Sequence, residues 1–400
     1  MINSLWLTII GMDAGGYTTI SAEARAALDK AKTIFGPERH LAMLPDLAAK
    51  THIWPVPFSQ GVDQLLSHRG EPTIMLVSGD PFWYGAGTSI TRHLQRDEWH
   101  ALAAYSSFSL AANTLGWALE AVRTIGLHAA PLTRLRPYLA PGSKIIATLR
   151  DGEAVSELAD YLNSCGFGDS QLHILELLGG KDARNRQILA TEAGQIEAEH
   201  PVMAGIDISG SGKVMSRASG LDDEWFEHDG QITKKAVRAL TLSALAPVQG
   251  QLLWDLGAGS GSVAIEWLLS GPDMKASAVE RNPERAASLR RNAHTLGVDW
   301  LNLIEADAGD VLAQLPKPDA VFIGGGLRRP LLDKLWEVIP VGTRIVANGV
   351  TLETDALLGE AQNQLGGSLM RIELSHMSAI GNLRGWKAAY PITQWVVQKS

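Results

Sequence analysis

One stretch constrains the fold more than any other: Trp254-Asp255-Leu256-Gly257-Ala258-Gly259-Ser260-Gly261-Ser262. The apolar run Leu252-Leu253-Trp254-Asp255-Leu256 reads as a strand, and three alternate glycines follow it. Glycines at a strand end let the backbone turn tightly and approach a ligand with no Cβ in the way. A helix starting after Ser262 aims its free N–H groups into the same space. The spacing is G-x-G-x-G, whereas the dinucleotide fingerprint G-x-G-x-x-G places its third glycine where Ser262 stands, which weakens a pyrophosphate-binding reading.

Acidic residues follow in order. Glu280 ends the next apolar run, 19 residues beyond Gly261, where a carboxylate accepts hydrogen bonds from ribose hydroxyls. Asp307, beside Ala308, ends the region after a third run, where an acid or its neighbouring backbone can meet an adenine amino group; an acid there also serves as a loop cap. Gly324-Gly325-Gly326 ends a fourth run and leaves room for a flat substrate. Strands over 276–280, 301–305, 319–323 and 344–348 alternate with helical stretches, and two late strands, 369–374 and 394–398, have no long helix between them. That pattern predicts an open, mostly parallel sheet with an antiparallel edge. The series resembles the class I S-adenosylmethionine (SAM) methyltransferases. The resemblance implies a Rossmann-like fold with cofactor contacts at Asp255, Gly257, Gly259, Gly261, Glu280, Asp307 and Ala308.

The amino-terminal half is also α/β. Apolar strands over 5–10, 73–77 and 144–149 alternate with helices. Ser21 reads as the N-cap of a helix over 22–32, and Val155, Leu158, Ala159 and Leu162 form one apolar helix face. Pro201 to Ile208 reads as a last strand, and Ser209-Gly210-Ser211-Gly212-Lys213 has linker composition. The boundary is expected between Gly210 and Leu221, giving domains 1–212 and 213–400. Three segments stand out: the loop from Gly11 to Gly16, Ser78-Gly79-Asp80-Pro81-Phe82-Trp83-Tyr84-Gly85, and Ser106-Ser107-Phe108-Ser109-Leu110-Ala111 running on to Leu115-Gly116-Trp117. Together they resemble the tetrapyrrole methylases, the class III SAM methyltransferases, in the cobalamin-pathway branch that acts at C-5 of the corrin precursor. That resemblance implies a two-lobed fold with SAM folded between the lobes, held by Ser78, Gly79, Asp80, Trp83, Ser106, Ser107 and Leu149. The first loop departs from the family's G-x-G-P-G: it reads Gly11-Met12-Asp13-Ala14-Gly15.

A class III domain ahead of a class I domain resembles the bifunctional precorrin-6Y C-5,15-methyltransferase family of aerobic cobalamin synthesis. Supporting strings are Asp222-Asp223-Glu224-Trp225-Phe226 and Ile232-Thr233-Lys234-Lys235-Ala236-Val237-Arg238. The resemblance implies one SAM per domain, methylation at C-5 by the first and at C-15 by the second, and loss of the C-12 acetate carboxylate in the second. Two alternatives stay open: the same two folds acting on another substrate, or a first half that binds tetrapyrrole without catalysis.

Composition bounds the rest. In 400 residues the hydrophobic fraction is 46% and the charged fraction 20%, so each half can bury a core. A net charge of −8 disfavours nucleic acid as a partner. It also requires local positive charge for a polycarboxylate precorrin. The candidates are Arg328 and Arg329, with Thr233 and Gly325 beside them as substrate contacts, then Lys234, Lys235, Arg238, Arg384 and Lys387. The 11 histidines show no metal-ligand spacing, so no metal is expected; His228 and His376 are possible proton donors, with ordinary surface or packed positions favoured. The one cysteine, Cys165, suits a reducing cytoplasm. The opening residues lack a basic and apolar leader, and the charge-free stretch 101–119 is too polar for a membrane span. A homo-oligomer is the expected assembly. No residue is singled out as a catalytic acid or base, since the sulfonium of SAM is already an activated electrophile.

Overall fold

The computed structural model describes residues 5–194 and 196–400; residues 1–4, where the stretch read for a leader begins, lie outside them. The chain divides into two compact units, one of residues 1–132 and 138–213, the other of 133–137 and 214–400.

The first unit holds two five-stranded sheets. In one, β1 (Leu7–Met12), β2 (Thr33–Gly36), β3 (Lys50–Ile53), β4 (Thr73–Ser78) and β5 (Trp99–Leu102) run parallel in the order β3-β2-β4-β1-β5. β1 and β4 are almost wholly buried, which fits continuous apolar runs in a sheet covered on both faces. Ser21 caps the helix Ala22–Lys30 by accepting from the Ala24 N–H at 3.1 Å. In the second sheet, β6 (Arg123–Gly126), β7 (Lys144–Thr148), β8 (Gln171–Glu176), β9 (Arg184–Leu189) and β10 (Val202–Asp207) take the order β6-β7-β10-β8-β9, antiparallel except for β6 with β7. Val155, Leu158, Ala159 and Leu162 are all buried on the helix Ala154–Ser164. Short strands such as β2 and β3, and the polar β9, have no strong alternation in the sequence and are visible only in the fold.

The second unit is a seven-stranded sheet. Its strands are β11 (Leu252–Leu256), β12 (Lys275–Val279), β13 (Asn302–Ile304), β14 (Ala320–Ile323), β15 (Arg344–Gly349), β16 (Ser368–Ile372) and, last in the chain, β19 (Ile392–Gln398). The order is β13-β12-β11-β14-β15-β19-β16, parallel as far as β15; β19 runs antiparallel to both its neighbours. The expected open parallel sheet with an antiparallel edge is therefore present. Strand order reverses beside β11, so the glycine loop after it opens at a topological switch point. Two apolar clusters cover the sheet faces, one around Trp267 and Leu289, the other around Trp254 and Trp395. Between β16 and β19 the chain adds a hairpin absent from the sequence reading: β17 (Ser375–Ile380) paired with β18 (Leu383–Ala388). Its apolar side chains are exposed, Trp386 at 79%, so no buried-face periodicity marked it.

Among the described residues no helix is long and apolar enough to cross a membrane, and no cluster of His, Cys, Asp and Glu could hold a metal ion.

Candidate active sites

In the second unit the carboxyl ends of the parallel strands open on a cavity of about 790 Å³. Gly257, Gly259 and Gly261 all have positive φ, at 72°, 57° and 77°. The loop is anchored beneath: the Gly257 and Ala258 N–H groups both donate to the Val279 carbonyl. Gly257, Ala258, Gly259, Ser260 and Ser262 line the cavity. Gly261 does not; a Cβ there would meet the Leu289 Cγ at 2.6 Å, so this glycine lets the helix Pro283–Thr295 pack against the loop. Glu280 lines the cavity although only 5% exposed. One of its oxygens accepts from the Gly259 N–H and the other from the Asn282 N–H, each at 2.8 Å. Each oxygen keeps lone-pair capacity toward the cavity.

Asp255 stands behind the loop instead of on the wall. It is buried, its Oδ2 accepts from the Ala264 N–H at 3.1 Å, and its Oδ1 has no partner. Burial pushes this carboxyl up to about 7, the charge of Glu280 adding to the effect. Asp307 and Ala308 line the cavity. The Asp307 side chain also caps the short helix Ala308–Val311 through the Gly309 N–H and faces Arg281 at 3.7 Å, so the cap and the wall are one residue.

Of the substrate candidates, Thr233, Gly325 and Arg328 line the cavity and Arg329 does not. Arg329 turns away to Asp333 and Gln364, at 2.8 and 2.6 Å. The Arg328 guanidinium has no hydrogen-bond or ion-pair partner among the described residues. Arg238 must be corrected as a substrate cation. It is fully buried, with Nε donating to Glu266 at 2.5 Å and the other nitrogens to Asp223 and the Thr233 and Leu221 carbonyls. Its apolar helix neighbours and the acid on the facing helix enclose it, and it fixes the backbone from which Thr233 reaches the cavity. Lys234 lines the cavity but pairs with Asp223, while Lys235 pairs with Asp222 away from the cavity. Arg384 and Lys387 lie on β18, outside the lining; His228, in the loop before the helix Lys235–Leu245, is also outside it, and its Nδ1 accepts from the Gly230 N–H, while His376 on β17 is a lining residue. Sequence reasoning missed Arg281, Arg285, Lys334, Asn348 and Tyr390, all on the wall. For Asn348 a signal existed: a polar residue at the carboxyl end of a parallel strand.

In the first unit the three singled-out segments meet. A Cβ on Gly11 would lie 1.9 Å from the Gly79 carbonyl oxygen, and one on Gly79 would lie 3.3 Å from the Ser106 Cα. Gly79 has φ of 59°, and its N–H donates to the Met12 carbonyl at 2.7 Å. Asp80 braces the next turn through the Phe82 N–H at 2.7 Å. Trp83 is half exposed and stands edge-on to Phe108, 6.4 Å between ring centres. Ser106 caps the helix Ser107–Leu115 by accepting from the Ser109 N–H. Leu149 is buried, its N–H bonded to the Val202 carbonyl. The altered first loop is closed by Asp13, which accepts from the Gly15 N–H and Thr19 hydroxyl, and it packs against Gly179 and Gly180. Two residues not foreseen join this site. Arg39 donates to the Ser78 hydroxyl at 2.7 Å and meets the His200 Nε2 at 3.2 Å. Burial, with the charge of Arg39, holds His200 below the ordinary histidine range, so a neutral ring accepts from Arg39.

In the first site glycine backbones stand where side chains would collide, and in the second Gly257, Gly259 and Gly325 keep the wall open beside a buried carboxylate. That donor set fits an adenosyl group with its ribose against Glu280.

The comparisons with known proteins cover both units. Residues 7–194 match the family model described as Tetrapyrrole (Corrin/Porphyrin) Methylases, and residues 224–399 match the Precorrin methyltransferase domain. A precorrin-6Y C(5,15)-methyltransferase [decarboxylating] of Sinorhizobium sp is 42% identical over 98% of this chain and 96% of its own. The protein of the same name from Mycobacterium tuberculosis (strain ATCC 25618 / H37Rv) is 36% identical over 98% of this chain and all of its own. Among solved structures, the C-terminal domain of precorrin-6Y C5,15-methyltransferase from Rhodobacter capsulatus is 46% identical, with TM-score 0.45, and covers 46% of this chain and 100% of that one. With both halves matched in order and similarity running almost end to end, the chain belongs to the decarboxylating precorrin-6Y C(5,15)-methyltransferase family.

Proposed function

We propose that the chain methylates precorrin-6Y at C-5 and C-15 and removes the carboxylate of its C-12 acetate arm, using one SAM per unit. Residues 1–212 serve C-5, and residues 213–400 serve C-15 and the decarboxylation. The observation that carries this reading is the second-unit cavity. One wall joins an open glycine loop, the buried Glu280 and the unpaired Arg328. When bound, SAM supplies a methyl group on a positively charged sulfur, already activated for displacement. The protein's part is alignment. Glu280 receives the ribose hydroxyls, Asp307 and Ala308 flank the adenine, and Gly325 lets a flat ring lie close. Arg328 takes a carboxylate of the tetrapyrrole, compensating the net charge of −8 where the substrate sits. Holding carbon, methyl and sulfur in line supplies several kcal/mol of the barrier, roughly the value of a well-oriented encounter. In the first unit the Ser78-Gly79-Asp80 turn, Trp83, and Ser106 with Ser107 hold the second SAM, with Leu149 supporting from the core. The reading includes a homo-oligomer and neither nucleic acid nor membrane as partner.

Single-turnover product mass tests it. Two methyl gains and one CO₂ loss are expected from precorrin-6Y with excess SAM. One methyl gain at C-15 with CO₂ loss would make the first unit a silent binding module, and no reaction with this tetrapyrrole would reject the substrate.

A further inference from the structure

We propose that the end of the second-unit cavity around Asn348 seats the carboxylate that leaves, and that Asn348 is its neutral hydrogen-bond donor, aimed by Gln394 and Thr241. The proposal deepens the functional reading above and rests on it.

Asn348 lies near the end of β15, directly opposite Gln394 on antiparallel β19. It is buried, yet it lines the cavity. Its amide orientation is fixed from two sides. Gln394 Nε2 donates to Asn348 Oδ1 at 3.0 Å, and Asn348 Nδ2 donates to the Thr241 hydroxyl at 2.9 Å. Gln394 Nε2 also reaches that hydroxyl at 3.4 Å, closing a three-membered network. With the oxygen engaged by Gln394, the second hydrogen of Asn348 Nδ2 has no acceptor among the described residues and is left for a ligand. The network carries a cost: Gln394 Oε1 is buried with no partner. An apolar residue at 394 would avoid that cost and would also release Asn348.

The surroundings match the chemistry. Val350, Ile372, Leu374 and Ile392 line this end, with His376 and Tyr390 further along the same stretch of lining, and the cavity's Arg and Lys side chains are carried elsewhere: Arg281 and Arg285 follow β12, Arg328 and Lys334 follow β14, and Lys234 is paired with Asp223. In decarboxylation the bond between the acetate methylene and its carboxylate carbon breaks. Its electron pair passes into the conjugated ring, CO₂ departs, and the methylene carbon then takes a proton from water to become a methyl group. Negative charge leaves the carboxylate as the transition state forms. A guanidinium on that carboxylate would stabilise the starting state more than the transition state and slow the step. A neutral amide, a weaker donor than a guanidinium, orients the group at a smaller penalty of the same sign. Arg328 suits carboxylates that stay; Asn348 suits the one that goes.

The test uses the full chain with precorrin-6Y and SAM, measuring CO₂ released and methyl groups gained. Asn348→Leu is expected to lower CO₂ release by about tenfold, the loss of roughly one hydrogen bond. Methyl gain should fall less, so that CO₂ released per methyl gained drops, whereas a general loss of packing would lower both together. Thr241→Val keeps Asn348 but loosens its aim, and should lower CO₂ release by about threefold with the same selectivity; it decides the matter if Asn348→Leu does not fold. Equal falls in CO₂ release and methyl gain, or no fall in either, would overturn the assignment. An unaltered chain that gains both methyls but releases no CO₂ would overturn the functional reading of the second unit, and the assignment with it.

Discussion

Asp255 and Arg328 show how differently one buried acid and one exposed base serve a cavity. Asp255 pins the start of the helix Ser262–Leu269 to β11 through Ala264, and burial raises its carboxyl to about 7. An acid raised in the folded state binds a proton that the unfolded chain has released. Its contribution to stability therefore falls as pH rises from its unfolded value near 4 to about 7, and is constant above that. Asp255→Asn should flatten this slope, which is at most about 1.4 kcal/mol per pH unit. Urea unfolding from pH 4 to 8 checks it: the two proteins should diverge with rising pH, the variant gaining relative to the parent. Arg328 and Arg329 are neighbours with separate fates, one lining the cavity and one tied to Asp333 and Gln364. Arg328→Ala should raise KM for the tetrapyrrole by roughly tenfold or more, as loss of a charge-assisted bond does, with Arg329→Ala near parent. Steady-state kinetics of the pair checks this, and equal effects would refute the separation.

At the scale of elements, the glycine loop was legible because its residues do work that composition exposes: positive φ and missing side chains at a strand end. Even so, its glycines divide in role only in three dimensions. Gly261→Ala puts a Cβ against Leu289 at a φ of 77°, so about 1–3 kcal/mol of stability should be lost. A Cβ on Gly325 meets nothing within 4 Å, so Gly325→Ala should unfold within about 0.5 kcal/mol of the parent while crowding the substrate side of the cavity. Chemical denaturation of both variants separates the roles. The long parallel strands were equally readable, as continuous apolar runs. The hairpin β17–β18 was not, because an exposed element leaves no buried stripe. Arg238 was misread for a related reason: sequence shows its charge but not that Glu266, on the facing helix, neutralises it inside the core. Arg238→Met should cost about 3–5 kcal/mol by stranding Glu266. Asn348 was similarly hidden, since its meaning comes from Gln394 and Thr241, each far away along the chain.

At the scale of the molecule, two units with separate cores carry two glycine-lined sites, and the number of SAM molecules bound decides whether both are used. Calorimetry on the full chain should give two per chain. Glu280 has one backbone donor on each oxygen, from Gly259 and Asn282, so Glu280→Ala removes the proposed ribose acceptor and also loosens the loop. Affinity at the second-unit site should weaken by about 1–3 kcal/mol, while the first-unit site is untouched because none of its contacts involves Glu280. The titration should then resolve one unchanged and one weakened phase. If the parent binds a single SAM and Glu280→Ala abolishes it, the first unit holds no cofactor. The Ser78-Gly79-Asp80 turn, with Arg39 on the Ser78 hydroxyl, would then be a surface for the tetrapyrrole alone.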